Sequence, residues 1–337
     1  MVVDWALILE WVLKAVAILM FCTIGFSYTT LYERKVLARM QVRWGPNRAG
    51  FRAILQPVAD GIKLIFKEEL IPAKADKIIF VAAPIITVIP ALIITGVVPW
   101  GPPIQLFGRV IPLYLVNINI AVLYIMSIAS ISVYGITLAG WSSNNKYAML
   151  GGLRSTAQMI SYELALGLAF VGPILLTGSM SLVDIVHAQA KIPFIVLQPL
   201  AAVIYMIAVI AEVNRAPFDM PEAEQELTAG YHTEYSGMKF ALFFMAEYIK
   251  MIAVSTIGAT VFLGGYLGPF LDVAPWLGPI YLTAKVAVLL YGLIWIRATL
   301  PRIRYDRLMA FGWKILFPLA LLNVVLTAFG IVLFGGK

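Results

Sequence analysis

Long apolar runs separated by short polar stretches dominate this 337-residue chain. A helix rising 1.5 Å per residue needs about 20 apolar residues to cross a bilayer core. Eight runs approach or exceed that length, at about 5–31, 78–99, 111–139, 156–177, 193–212, 240–263, 276–296 and 312–334. Membrane barrels leave only a weak alternating signal, so uninterrupted runs predict helices, which satisfy their own backbone in lipid. The first run lacks a basic leader and a small-residue cleavage site, and reads as a span rather than a removed signal. Asn117 and Asn119 fall near the start of the third. No internal repeat and no loop large enough for a soluble domain breaks the pattern. The expectation is an all-α polytopic membrane protein forming one integral membrane domain over residues 1–337.

One polar stretch has a period of its own. Over residues 52–68, Ile54, Val58, Ile62 and Ile65 step round one helical face, with Leu55 and Phe66 beside them. Arg52, Gln56, Asp60, Lys63 and Lys67 form the opposite stripe. This predicts an amphipathic helix lying in the membrane interface. Two placements are open: a surface helix with its lysines reaching the headgroups, or a roof over a cavity with Asp60 turned inward. The turn cluster "WGPNRAG" before it fixes the approach of the chain.

Composition agrees. Charged residues make up 13% of the chain, with 61% hydrophobic and a mean hydropathy of +0.90; a soluble domain carries about 25% charge. Of the 25 Lys and Arg, 19 fall in or beside the loops after spans one, three, five and seven, three on the opposite side and three within spans. That bias places those four loops on the cytoplasmic side and both termini outside. The net charge of +7 then follows from topology and anionic headgroups, without nucleic acid. A single cysteine, Cys22, excludes an intrachain disulfide and an iron–sulfur cluster, which takes about four thiolates. His187 and His232, the only histidines, lie in loops, which excludes paired haem ligation inside the bundle. No Walker loop or dinucleotide fingerprint is present.

Acidic residues carry the candidate chemistry. Asp219, Glu222, Glu224, Glu226 and Glu234 crowd into residues 217–235 with no Lys or Arg among them. Three more glutamates sit in or at the end of spans: Glu163 in "QMISYELALG", Glu247 in "FFMAEYIKM", and Glu212 closing span five. A carboxylate near the bilayer centre costs at least about 2.5 kcal/mol, so such groups face the bundle interior or water. They read either as independent structural pairs, such as Glu247 with Lys250 one turn away, or as a file of exchangeable carboxylates along which protons move.

The stretches "ERKVLARMQVRWGPNR", "LQPVADGIKLIFKEE", "AGWSSNNKYAMLGGLRSTAQMISYE", "NRAPFDMPEAEQELTAGYHTEYSGMKF" and "RATLPRIRYDRLM" resemble, in order and over essentially the whole chain, the family of membrane-arm proteins of respiratory complex I called subunit 1, or the H subunit. The resemblance implies a component of a proton-pumping NADH:quinone oxidoreductase that forms much of the quinone chamber. On matching positions it assigns Glu33, Arg34, Asp60, Arg215 and Phe218 to the chamber. It assigns Glu163, Glu212, Asp219, Glu222, Glu224, Glu226 and Glu247 to a proton path. It implies quinone as substrate, no redox cofactor on this chain, and NAD, FMN and iron–sulfur clusters on partner subunits. The implied partners are other membrane-arm subunits and the quinone-proximal subunits of the hydrophilic arm. The expected location is the bacterial inner membrane, with the mitochondrial inner membrane as second choice. Related membrane-bound hydrogenases, deazaflavin dehydrogenases and photosynthetic complex I relatives remain as alternatives, as does a stand-alone ion transporter.

Overall fold

A computed structural model describes residues 5–106, 109–220, 229–271 and 273–334. Twelve helices are labelled among them, in chain order: α1 (Trp5–Met40), α2 (Gln56–Phe66), α3 (Lys77–Ile94), α4 (Ala121–Ser142), α5 (Lys146–Thr177), α6 (Leu182–Ala188), α7 (Phe194–Leu197), α8 (Pro199–Glu212), α9 (Gly237–Phe262), α10 (Leu277–Thr299), α11 (Tyr305–Phe311) and α12 (Phe317–Phe334). Seven of the described helical segments are long and apolar enough to cross a membrane, and α8 is a shorter apolar helix. The protein is accordingly an all-α polytopic membrane protein with very little sheet.

Several boundaries differ from those the hydropathy suggests. α1 continues nine residues past position 31 to Met40, because "YERKVLARM" keeps good helix formers after the apolar run ends. At 36 residues it measures about 54 Å, more than a bilayer core requires. Its excess turns carry Glu33 and Arg34 out of the apolar zone. The third span does not begin at 111: Gly101–Leu106 (β1) and Arg109–Leu113 (β2) form an antiparallel hairpin, and the helix starts at Ala121. The β-branched alternation in "RVIPL" extended the apolar run without being helical. α5 starts at Lys146, ten residues before the expected 156. Asn145 caps it by accepting a bond from Tyr147 N at 2.9 Å. The fifth span is split by Pro199 into α7 and α8.

The core is built around α5 and α9. α5 packs on α4, α8 and α12, while α9 packs on α1, α3 and α10. Glycines permit the closest approaches. A Cβ on Gly135 of α4 would lie 2.1 Å from Thr87 Oγ1 of α3, the small-residue packing that membrane helices favour. In α3, Pro84 removes the N–H that would serve the Phe80 carbonyl. Tyr235 from the loop before α9 donates its hydroxyl there instead, at 3.1 Å, and stacks on the Phe80 ring with centroids 4.0 Å apart. Only 6% of the apolar window of α1 is buried, so its outer face meets lipid or a neighbouring chain.

Candidate functional site

The buried charges gather at one end of the bundle. Glu33, on the extended part of α1, is 3% exposed. Arg215, on the turn after α8, donates from Nη1 to Glu33 Oε1 at 3.0 Å. Its Nε pairs with Glu247 of α9, and its guanidinium carbon lies 4.5 Å from the centroid of the Tyr248 ring. Arg297, in the last turn of α10, also pairs with Glu33. Residues from α1, α9, α10 and the loop after α8 are thus bound into one cluster of two carboxylates and two guanidiniums. Arginine suits the bridging place, since its fork offers separate nitrogens to two anions.

A second group adjoins the first. Glu212, 5% exposed at the end of α8, has its Oε1 3.9 Å from Lys250 Nζ on α9. Glu163, near the middle of α5, is close enough to interact electrostatically with both. Ser130 of α4 donates a hydrogen bond to it. A cavity of about 20 Å³ is bordered by Glu212, Asn214, Tyr231, Glu247 and Lys250. Another of about 30 Å³ lies across Glu212 and Lys250, towards Tyr205 and Phe170. Each has room for about one water.

Gln158 of α5 holds the turn that carries Arg215. Its amide donates to Ala211 O at 2.9 Å and Phe218 O at 2.8 Å. Phe218 N bonds Arg215 O at 2.8 Å, and Ile303 N bonds Pro217 O at 3.1 Å, which ties the turn to the segment before α11. Phe218 is buried, with its ring centroid 5.5 Å from that of Tyr162. Asp219 follows, partly buried. Glu222, Glu224 and Glu226 lie outside the described residues.

Asp60 stands apart from these groups. Arg34 of α1 reaches it at 2.7 Å and Gln56 of its own helix at 3.1 Å. The pair is half-exposed and tacks α2 to α1. Such exposed pairs contribute about 1 kcal/mol or less, so the contact positions α2 more than it stabilises it. Val58, Ile62 and Ile65 remain more than half exposed, as an interfacial helix requires.

The structure thus brings Glu33, Arg215 and Glu247 together, sets Glu212 and Glu163 beside them, and leaves Arg34 and Asp60 at the rim. Of the structural pairs the sequence leaves open, Glu247 with Lys250 is not the direct one: Glu247 takes Arg215, and Lys250, its neighbour one turn on, faces Glu212. Arg297, Ser130 and Gln158 belong to the site without being marked in the sequence, and Lys250, read there only as a candidate partner of Glu247, joins them. A basic residue at the end of span seven was the available signal for Arg297; nothing local marked Gln158. His187 lies on the short helix α6 rather than in a loop. Among the described residues there is no group of three or more His, Cys, Asp or Glu that could hold a metal ion.

A family model described as NADH dehydrogenase matches residues 13–328. The chain is 53% identical over 311 residues to the H subunit of the NADH-quinone oxidoreductase of Thermomicrobium roseum, covering 89% of this chain and 90% of the relative. It is 51% identical over 302 residues to the H subunit of the NADH-quinone oxidoreductase of Syntrophotalea carbinolica, covering 90% of each. Identity is also 51% over 329 residues to an NADH-quinone oxidoreductase H subunit of Geobacter metallireducens, covering 94% of each.

Proposed function

The chain belongs to the H-subunit family of NADH-quinone oxidoreductases, and we propose that within that enzyme its buried charges couple quinone reduction to proton translocation. It is a membrane subunit of an oxidoreductase, and other subunits of the complex are its partners. In our reading Glu33, Arg34, Asp60, Arg215 and Phe218 border the quinone chamber. Glu163, Glu212, Asp219 and Glu247 pass protons or charge from it, and Glu222, Glu224 and Glu226 extend that path. Quinone is the substrate, and the NAD, FMN and iron–sulfur chemistry resides on partner chains. The chain sits in a bacterial inner membrane with both termini outside.

The observation that carries this reading is the adjacency of the two buried groups. Arg215 links Glu33 to Glu247, and one small cavity borders both Glu247 and Glu212. Charge arriving at the Arg215 turn is therefore felt by the intramembrane carboxylates over a short, poorly screened distance. Clustered groups of this kind titrate as a set, so a change at one redistributes protons among the rest.

Glutamine at position 163 or 212 keeps the shape of the side chain but cannot carry a proton. The assembled complex should hold its stability, because the desolvation cost of the carboxylate goes with its charge and Lys250 keeps the other glutamates as counter-charges. Quinone-linked turnover and the proton gradient should both collapse in membrane vesicles. Parent-like pumping by both Glu163→Gln and Glu212→Gln would leave the proposal without support.

A further inference from the structure

Two lysines project into the bundle, and their surroundings differ sharply. Lys285 of α10 donates to the carbonyls of Leu263, Gly265 and Leu267 at 2.7–2.8 Å, so all three of its protons are placed. Lys250 has no such clamp among the described residues. It is 6% exposed, and its nearest anion there, Glu212, stands 3.9 Å away, at the limit of a direct pair. Both water-sized cavities of the site are bordered by Lys250 and Glu212 together. A buried ammonium needs acceptors for its three protons, and burial without them is unfavourable. Water in these two cavities can supply them.

We propose that Lys250 is a positioning residue of the coupling path: a hydrated cation that holds Glu212 in register with Glu163 on one side and Glu247 on the other. The inference rests on the carboxylate reading above and adds to it a cation and two water positions. Groups facing Lys250 come from every wall of the site. Glu163 stands on α5, Glu212 and Tyr205 on α8, Tyr231 on the loop before α9, and Glu247 on α9 itself. Arg215 already occupies Glu247 and Glu33, so Glu212 and Glu163 have Lys250 as the cation beside them. A fixed, fully hydrogen-bonded lysine like Lys285 could not adjust as a neighbouring carboxylate changes protonation. One that reaches its partners through water can do so without moving a helix.

The test uses the intact complex with Lys250→Met, Lys250→Gln and the double variant Lys250→Met/Glu212→Gln. NADH oxidation by an artificial acceptor does not use this chain, so its retention on washed membranes reports that the partner subunits are still bound there. With that activity retained, we expect quinone-linked kcat of the single variants to fall by about tenfold or more. KM for a short-chain quinone should stay within about twofold of the parent. Redox-induced infrared difference spectra should show the protonated-carboxyl C=O signal that Glu212→Gln deletes, displaced in Lys250→Met. The double variant should assemble and remain slow. Recovery of parent-level turnover in the double variant, which lacks Glu212, would overturn this inference and the carboxylate reading together. An unmoved carboxyl signal, or single variants that turn over within about twofold of the parent, would overturn this inference. If Glu163→Gln and Glu212→Gln both behave like the parent, the carboxylate reading itself fails. If Glu212→Gln is inactive while Lys250→Met is parent-like, only this inference fails.

Discussion

Arg215→Met removes the side chain that, among the described residues, bridges both carboxylates of the first cluster. Glu33 keeps Arg297, whereas Glu247 loses the guanidinium that pairs with it. Removing one partner of a buried pair costs about 3–5 kcal/mol, and that range is an upper bound here because the Glu247 side chain is 14% exposed and borders a water-sized cavity. Arg215 is 7% exposed, so screening softens that cost only in part. The contact with the Tyr248 ring adds about 0.5–2 kcal/mol. At about 1.4 kcal/mol per factor of ten, the ion-pair cost alone sets a ceiling of roughly two to three and a half decades on any step that needs the ionised cluster. Arg215→Lys should fall between parent and Met, since a compact ammonium cannot span two carboxylates as the guanidinium does. Adding Glu247→Gln to Arg215→Met removes the stranded charge and should restore assembly lost in the single variant. The assay compares quinone reductase rate with NADH oxidation by an artificial acceptor in the same membranes. The expected result is a loss of at least about tenfold in the first with the second nearly intact. Equal loss of both activities in all variants, or a Lys variant as slow as Met, would refute the bridging argument.

Two further substitutions probe how the site is supported. Tyr235→Phe leaves the Phe80 carbonyl without its donor and should destabilise the protein by about 1–3 kcal/mol in thermal unfolding. Burial pushes the Tyr235 phenol up to about 12 from its usual 10, so above pH 10 the unfolded chain releases a proton that the folded chain keeps. Stability should therefore fall as pH rises from 10 towards 12, and the Phe variant should fall less steeply; parallel slopes would sink the argument. Lys285→Met deletes three charge-assisted bonds to the loop after α9. It should raise hydrogen exchange across residues 263–268 and lower thermal stability while leaving quinone KM unchanged, and unaltered exchange would count against the clamp.

Hydropathy and charge counts are sums over neighbours in the chain, and what depends on neighbours is legible without coordinates. The all-α membrane class, the amphipathic stretch around 56–66 and the glutamates set into apolar runs all follow from local pattern. The hairpin at 101–113 escapes that pattern because a short β-branched run beside a span looks like more span. The late end of α1 and the early start of α5 escape it because helix propensity continues where hydrophobicity stops.

Partnership is a different matter. Arg297 and Glu33 are 264 positions apart, and Arg215 and Glu33 are 182 apart; no period or spacing links them. From the sequence, Glu247 and Lys250 share a helical face, which leaves a direct pair between them open. In the folded bundle, Arg215 occupies Glu247 and Lys250 faces Glu212 on α8, because helix packing sets which charges meet. A buried charge must find a counter-charge or water within a few ångströms, so residue type alone requires that some partner exist. Which residue answers that requirement is decided by tertiary packing, since only packing fixes distances between elements far apart in the chain.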